Sequence, residues 1–277
     1  MPAGIRRFIR RNPLLTLGAI LLLTILLAAV LAPLLVGDAI TMLPSRRLLP
    51  PGGDYLLGTD SFGRDVFART VFGARISLTV GASVAVIAIV AGLGLGLVAG
   101  YVQAAGAPIM RVMDAMMAIP TMLLAIALVS LNRASVSTVI VAIAIPEVPR
   151  VVRLVRSVVL TVRGQPYIEA AVAGGAGTAK IIIRHILPST IGPLIVQASY
   201  VCASAILLEA ALSFLGAGSP PEIPSWGNMI ATSRLYLGRS PWTIFAPGVA
   251  LALTVLAINM VGDGLRDRLD PRLSRRM

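Results

Sequence analysis

The stretch PYIEAAVAGGAGTAKIIIRHILP, Pro166 to Pro188, is a segment of mixed character within a chain that is otherwise mostly apolar. It places Glu169 in the first turn after a proline, gathers three glycines between 174 and 177, and continues as a basic and aliphatic run. Proline suits the first turn of a helix, the helix dipole favours an acid there, and glycine accepts backbone angles that other residues resist. The stretch predicts two short helices that meet at a glycine bend, with Thr178 capping the second helix and Pro188 ending it.

The composition of the whole chain is that of a membrane protein. Of its 277 residues 57% are hydrophobic and only 13% are charged, and the mean hydropathy is +0.89. Soluble domains carry charge on about a quarter of their residues. The one cysteine, Cys202, lies in an apolar run, which excludes an internal disulfide and a cysteine-rich metal site.

The net charge of +12 raises the question of nucleic-acid binding. The arginines are spread over the predicted loops and termini, without interleaved aromatic residues and without a soluble domain to present a binding face. Nucleic acid is therefore not an expected partner.

Six apolar runs are candidates for spans, because about 20 helical residues cross the hydrocarbon core of a bilayer. The first run is 23 residues long and lacks a convincing cleavage site, so a retained helix is expected rather than a signal peptide. The second carries Gly92, Gly96 and Gly100 on one face, which permits close helix packing. The runs are residues 14–36, 77–100, 112–131, 134–145 with a continuation past Pro146 and Pro149, 189–216 and 243–261.

Charge sets the expected orientation. With the amino terminus inside, the inner segments hold sixteen basic residues and the outer segments hold eight, so both termini and the 166–188 stretch are predicted to be cytoplasmic. Between 150 and 163, arginines follow one side of a helix and valines the other. This amphipathic segment is expected to lie where membrane meets water.

Several kinds of chemistry are missing from the sequence. It has no GxxxxGK[ST] loop, so the chain is not expected to hydrolyse ATP by itself. His185 is the only histidine, which leaves a histidine metal cage or a Ser-His-Asp relay unsupported. We therefore expect neither an enzyme nor a metal protein.

Ionisable or polar residues near the spans are few, and each can be structural or functional. Glu209 could line a translocation path, or it could bond to the neighbouring outer loop, and the sequence leaves both open. Asp114 is expected to pair with Arg111, and Asn259 to make a hydrogen bond between helices.

The 166–188 stretch also suggests how the chain meets other proteins. Its alanines leave the first helix with a shallow surface, and Lys180 and Arg184 share one face of the second. A small protruding element joined directly to a membrane helix suits a groove in another protein, to which it could transmit movement.

At these residues the chain resembles a known family. EAA at 169–171, Gly175 and HILP at 185–188 resemble the EAA loop of the membrane subunits of ABC importers. Further blocks resemble the C-type permeases of dipeptide, oligopeptide or nickel importers. These blocks are LGTDSFGRDVFARTVFGARISL at 57–78, MRVMDAMMAIPTMLLAIAL at 110–128, EAALSFLGAGSPPEIPSWGNMI at 209–230 and GDGLRDRLDPRL at 262–273.

The resemblance implies an all-α membrane protein with the type I ABC importer permease fold: six transmembrane helices and a cytoplasmic coupling-helix loop. The implied division of the chain is a cytoplasmic amino terminus at 1–13, a first span at 14–36, an extracytoplasmic loop at 37–76, a permease core at 77–262 and a cytoplasmic tail at 263–277. The location would be a prokaryotic inner membrane, crossed several times.

The resemblance also implies partners and sites. A homologous B-type permease, two cytoplasmic ATPases that bind ATP and magnesium, an extracytoplasmic solute-binding protein and the bilayer would surround this chain, which itself would bind no cofactor. The residues implied to couple to the ATPases are Glu169, Ala170, Ala171, Gly175, His185, Leu187 and Pro188. The residues implied to contact the binding protein or to form a gate are Asp60, Arg64, Asp65, Glu209, Pro221 and Trp226.

The implied function is a permease subunit for di- or oligopeptides. Nickel or glutathione remain alternative substrates within the same branch. A membrane scaffold that binds a soluble partner without moving solute is the alternative from a different class.

Overall fold

The computed structural model describes residues 12–131, 135–220 and 222–269, and within these ranges the chain is helical, without a strand. The all-α prediction is therefore confirmed. Most of the amino terminus, the turn around Arg133 and most of the tail predicted at 263–277 lie outside the described residues. The helices are α1 (Pro13–Leu35), α2 (Val66–Tyr101), α3 (Gln103–Ala118), α4 (Thr121–Ser130), α5 (Val136–Arg163), α6 (Pro166–Ala173), α7 (Thr178–Ile181), α8 (Leu187–Phe214), α9 (Trp226–Ser233) and α10 (Trp242–Leu269).

The helix α2 begins well before the predicted start near Ser77. Asp65 is its N-cap, because the Asp65 carboxylate accepts hydrogen bonds from the amides of Phe67 at 2.8 Å and Ala68 at 3.4 Å. The helix then runs for 36 residues, about 54 Å, whereas the hydrocarbon core is about 30 Å thick. The last residues of the loop predicted at 37–76, from Val66 onward, are thus the first part of α2.

The three glycines of α2 lie against α5, as their spacing predicts. A Cβ atom placed on Gly92 would lie 2.4 Å from Val151 Cβ, and one on Gly96 would lie 2.6 Å from Val155 Cβ. Gly100 meets Val159 in the same way, so the two helices run parallel at close distance. The valine face of α5 is therefore buried against α2 and does not face lipid, whereas the position of residues 150–163 at the membrane surface stays a prediction.

This parallel arrangement requires the chain to cross back between α2 and α5. The helices α3 and α4 make that return, with a bend of 88° between them. The bend falls at Pro120, and Ile119 before it is extended with φ −88° and ψ 129°, as a residue preceding proline prefers. The predicted third span is thus a broken helix.

Six crossings follow from the packing. Four helices are long and apolar enough to span a membrane, namely α1, α2, the continuous helix Thr178–Phe214 and α10, and the bent pair α3 and α4 makes a fifth. The sixth is α5, whose 28 residues run parallel to α2; its arginines and Glu147 keep it from being recognised by composition. The helix prediction for residues past Pro146 and Pro149 holds, since α5 is continuous through both prolines.

The helix that follows the 166–188 bend does not end at Pro188. Residues Ile182–Ile186 form one π-helical segment that joins α7 to α8, and the Leu187 amide donates to the Ile182 carbonyl. A π segment accommodates proline because it removes the close contact of the ring with the preceding turn. Thr178–Phe214 is therefore one helix of 37 residues, and the prediction of a stop at Pro188 is wrong.

Candidate functional site

We call the end of the bundle that carries residues 166–188 the coupling end and the opposite end the far end. Arg163 Nη1 donates to the Tyr101 carbonyl at 3.2 Å, which joins the last residues of α5 and α2 at the coupling end. Arg268 Nε donates to Asn12 Oδ1 at 3.4 Å, and the last turn of α10 packs beside α8 at Gly192. The first and last described residues therefore lie at the coupling end.

The first helix of the 166–188 stretch, α6, protrudes from the bundle on one anchor. Ile168 is buried in the core with valines of α5, whereas Glu169, Ala170 and Val172 are exposed. The exposed surface is small and shallow, as the alanines predict. An anchored helix with such a surface is shaped to lie in a groove of another protein.

The turn after α6 depends on Gly175. Its φ is +78°, in the left-handed region, whereas Gly174 and Gly177 have φ of −75° and −67°. The Gly175 amide donates to the Val172 carbonyl at 3.0 Å and the Ala176 amide to the Ala171 carbonyl at 3.0 Å. This is a Schellman motif, and among the three glycines only Gly175 supplies the reversed backbone angle that it requires.

The second half of the loop is anchored by Ile181 and Ile186, which are fully buried in the core. Gly177 is the N-cap of α7, so the prediction that Thr178 caps this helix is wrong. The ring centroids of His185 and Tyr167 lie 6.1 Å apart, which joins the π segment to α6.

The structure gathers the predicted coupling residues in this one loop. Glu169, Ala170, Gly175 and Pro188 are exposed, and the remaining three are partly buried. These three are Ala171, His185 and Leu187.

A cavity of about 390 Å³ opens beside the loop, between α5, α8 and α10. Its walls are mostly apolar, with the Gln197 amide and the Arg266 guanidinium as the polar groups. The other lining residues are Leu154, Gly192, Pro193, Val196 and Leu269. The bundle is thus open to a small molecule at the coupling end.

At the far end, the loop before α2 is tied by a buried charge cluster. Asp60 Oδ2 accepts a hydrogen bond from Arg64 Nε at 2.7 Å and lies 3.7 Å from Arg69 Nε. Arg69 Nη1 donates to the Ala39 carbonyl at 3.0 Å. All three charged side chains are nearly inaccessible to solvent, and because two arginines share one carboxylate, removing Asp60 would leave both guanidinium charges without an acidic partner.

Glu209, near the end of α8, bonds to the neighbouring loop. It is 0% exposed, and its Oε1 accepts hydrogen bonds from the hydroxyls of Ser213 at 2.9 Å, Ser225 at 2.9 Å and Ser219 at 3.3 Å. Ser225 is also the N-cap of α9 and accepts from the Asn228 amide at 3.2 Å. Of the two roles left open by the sequence, the observed contacts are those of the loop-bonding one.

The short helix α9 seals the space between α2 and α8. Trp226 is 1% exposed and its Nε1 donates to the Thr70 carbonyl of α2 at 2.9 Å. A Cβ atom on Gly73 would lie 3.1 Å from the Trp226 ring, and one on Gly227 would lie 2.6 Å from Ala210 Cα. The glycines thus allow α9 to pack tightly on both long helices.

The predicted far-end residues are therefore mostly internal. Asp60, Arg64, Glu209 and Trp226 are buried within the chain, and Asp65 caps α2. Pro221 lies outside the described residues. Contact of the four buried side chains with another protein would require this end of the bundle to open.

Sequence reasoning missed the partners that make the far end a network. These are Arg69, Ser213, Ser219, Ser225 and Asn228. One signal was present: a serine directly before Trp226 is a typical helix N-cap. Ser213 stands one helical turn after Glu209, so its contact follows from the spacing, whereas the approach of Ser219 and Ser225 to Glu209 depends on the course of the loop after α8, which the sequence alone does not indicate.

Two other polar predictions are corrected. Arg153 Nη2 of α5 donates to Asp114 Oδ1 at 2.6 Å, so the partner of Asp114 is Arg153 and not Arg111. The Asn259 side chain is exposed and, within the described ranges, makes no hydrogen bond to another helix.

Glu147 is fully buried in α5, where it pairs with Arg150 at 2.9 Å. The described part of the chain holds no group of three or more side chains suited to a metal ion.

The chain is similar to curated permeases over nearly its whole length. A probable peptide ABC transporter permease protein of Sinorhizobium fredii is 59% identical over 270 residues, which is 98% of this chain and 93% of that protein. The dipeptide transport system permease protein DppC of Alkalihalophilus pseudofirmus is 44% identical over 267 residues, 96% of this chain and 88% of that protein.

The fold is also found among solved structures. A chain of the MetNI methionine ABC transporter, solved in inward-facing conformations, superposes with a TM-score of 0.63 at 20% identity, over 74% of this chain and 97% of that one. This likeness supports the type I importer permease fold. Residues 88–275 match the family described as binding-protein-dependent transport system inner membrane components. With that match over more than half of its length, this chain belongs to the family of binding-protein-dependent transport system inner membrane components.

Proposed function

We propose that this chain is one of two permease subunits of an ATP-driven importer for di- or oligopeptides. The observation that carries the proposal concerns residues 166–188, which we call the coupling loop. In it α6 protrudes from the bundle and is held by the buried Ile168, and the helix after the Gly175 turn continues without a break into a membrane-spanning helix. A force applied to this loop would move α8 as one rigid body. The names of the two curated relatives support a peptide as the transported solute.

The partners follow from this mechanism. The chain has no nucleotide-binding loop, so ATP and magnesium would be bound by two ATPases at the coupling end, one of which would hold α6 in a cleft. A homologous permease would complete the path through the membrane. A solute-binding protein would deliver peptide to the far end. The residues proposed to contact it or to form a gate are Asp60, Arg64, Asp65, Glu209, Trp226 and Pro221, the last of which lies outside the described residues.

The proposed orientation places the coupling end in the cytoplasm. It is supported by the excess of basic residues on that side and by the position of Asn12 and Leu269 at the same end as the loop. The coupling residues would be Glu169, Ala170, Ala171, Gly175, His185, Leu187 and Pro188.

Reconstitution tests this function. The chain, its partner permease and ATPases would be placed in liposomes with the binding protein, and uptake of labelled di-, tri- and pentapeptides, glutathione and a nickel chelate would be measured with and without ATP. We expect peptides to accumulate only with ATP and the binding protein. Accumulation of nickel alone would show that the substrate is nickel and not a peptide. An assembled complex that moves no solute would favour the alternative function of a membrane scaffold.

A further inference from the structure

One helix connects the coupling loop to the far end of the bundle. From Lys180, beside the Gly175 turn, to Glu209 it covers about 44 Å at 1.5 Å per residue. The helix is continuous, with one π segment near its start, and Pro188 and Pro193 are positions in it that donate no backbone hydrogen bond. A displacement of the loop along or around the helix axis would reach Glu209 through this continuous backbone.

Glu209 is the point at which this helix holds α9. Its carboxylate Oε1 accepts from the hydroxyl of Ser225, the N-cap of α9, at 2.9 Å, and from Ser219 in the preceding loop at 3.3 Å. Asn228 Nδ2 closes the loop by donating to the carbonyls of Ser219 and Pro220, each at 3.0 Å. The position of α9 relative to α8 thus depends on hydrogen bonds that meet at one carboxylate oxygen.

The second oxygen of this carboxylate is unusual. Within the described residues, Glu209 Oε2 is buried and has no hydrogen-bond partner. A buried polar atom without a partner makes an arrangement less stable than a fully bonded one, and such atoms are rare in native proteins. A contact that must break in each cycle would have this property, whereas a purely structural anchor would gain stability from a second donor.

We propose that Glu209 is the latch of a far-end gate: its hydrogen bond to Ser225 holds α9 closed between α2 and α8, and movement of the coupling loop releases it through α8. Glu209 is a positioning residue, because it acts through α9 and does not touch the solute. The inference rests on the proposed function for the source of the movement, although the latch itself can be measured without any solute.

The test measures opening of α9 directly. Met229 lies on α9 and is 4% exposed, so a thiol at this position is protected while the gate is closed. Met229→Cys would be introduced into a Cys202→Ala background, and the assembled complex in nanodiscs would be labelled with a membrane-impermeant maleimide. Labelling would be compared without nucleotide and after trapping with ATP and vanadate.

In the parent chain we expect slow labelling without nucleotide and faster labelling in the trapped state. Adding Glu209→Ala or Ser225→Ala would raise the nucleotide-free rate about tenfold or more, because each change removes a buried hydrogen bond and leaves its partner unsatisfied. Glu209→Gln would retain an accepting oxygen and give a rate near that of the parent. Combining Glu209→Ala with Ser225→Ala would add little to either change alone, since both break one contact.

Ser204→Ala is the matched control. Ser204 lies on the same helix and, among the residues that the structure describes, bonds only to the Val201 carbonyl of its own turn, at 3.1 Å, so its loss leaves α9 in place and the labelling rate unchanged. An unchanged rate in Glu209→Ala, or an equal increase in Ser204→Ala, would overturn the latch.

A second measurement separates a latch from an anchor needed for folding. ATP hydrolysis without the binding protein should rise severalfold in Glu209→Ala and return to the parent level in Glu209→Gln, whereas a folding defect lowers hydrolysis in both. A parent complex that takes up no peptide yet shows this labelling pattern would contradict the proposed substrate and keep the latch. Normal peptide uptake with no effect of Glu209→Ala on labelling would contradict the latch alone.

Discussion

The turn of the coupling loop depends on the backbone angle of one residue, Gly175. Its φ of +78° lies where a residue with a Cβ atom is strained, although no atom lies near enough to clash with that Cβ. The cost of a side chain there therefore comes from the backbone, about 1–2 kcal/mol for a residue held in the left-handed region. Gly177 has open space as well but a negative φ, so it offers a matched comparison.

Gly175→Leu should abolish ATP-driven uptake while the chain still inserts and assembles. The strain tilts α6 away from its anchor at Ile168, and hydrolysis by the ATPases becomes uncoupled from transport. Uptake and hydrolysis measured on the same liposomes would show this, with Gly177→Ala keeping at least about half of the parent uptake because N-caps tolerate this change at a cost of about 1 kcal/mol or less. Equal uptake by Gly175→Leu and the parent would refute the role of the turn.

Glu169→Lys tests the exposed face of the same helix. The carboxylate projects from the first turn of α6, where a positive charge is opposed by the helix dipole by about 0.3–1 kcal/mol. We expect uptake to be lost and the melting temperature of the isolated chain to shift by no more than a few degrees. Asp267→Lys, an exposed acid at the coupling end of α10, serves as the control and should retain uptake. Loss of uptake in both variants would mean that surface charge in general, and not α6, is responsible.

At the level of single residues, the sequence predicted the bend but not the glycine that makes it. The sequence does not distinguish the three glycines at 174, 175 and 177. The turn is assigned to Gly175 only by the hydrogen bonds that the Gly175 and Ala176 amides make to the preceding helix. The pairing of Asp114 was missed for a similar reason. Arg111 is near in sequence, whereas Arg153 is brought close only by the packing of α3 on α5.

Among the helices, the contact of α2 with α5 is the one most open to a direct test. Gly96 lies against Val155, and a side chain there would force the helices apart, whereas a Cβ atom added to Gly94, on another face of α2, would have no atom within 4 Å. Gly96→Leu should therefore destabilise the chain by about 1–3 kcal/mol or more through overpacking.

Thermal unfolding in detergent would be followed by size-exclusion chromatography with fluorescence detection. We expect a lower transition temperature for Gly96→Leu. For Gly94→Leu we expect a transition temperature within about 2 °C of the parent, because apolar substitutions on an exposed helix face cost little in an apolar environment. Equal effects of the two substitutions would mean that α2 and α5 do not meet at this face.

The sequence predicted where the long helices lie, but it predicted less well where they end and what each helix packs against. Each of the six crossings contains one of the six predicted apolar runs, because length and hydropathy are properties of the segment itself. The valine face of α5 gives the same pattern on a membrane surface as against another helix, and only the facing glycines of α2 distinguish the two. The stop expected at Pro188 failed because the π segment Ile182–Ile186 was not visible in the residue pattern.

For the molecule as a whole, the six crossings place both described chain ends beside the coupling loop. A reporter fused to the carboxyl terminus should therefore lie on the same side of the membrane as one inserted after Gly177. We expect fluorescent-protein fusions at both sites to be bright and alkaline-phosphatase fusions to be inactive, as for cytoplasmic positions. An active phosphatase at either site would contradict the proposed orientation.

The two ends of the bundle differ in a way that suits mechanical coupling. The coupling end has an exposed helix and an open cavity, whereas the far end is closed by α9, with Glu209 and Trp226 buried beneath it. A single helix joins them. This arrangement suits a protein that converts movement at one end into opening at the other, and it gives a scaffold no evident advantage.

The proposed function requires that ATP hydrolysis be converted into peptide movement through residues 166–188 of this chain. The number of labelled dipeptides accumulated per ATP hydrolysed measures this conversion, and it would be determined on the same liposomes for the parent complex and for Gly175→Leu. We expect a constant non-zero ratio for the parent and a ratio near zero for the variant, with hydrolysis continuing. Equal ratios for the two complexes would contradict the proposed coupling.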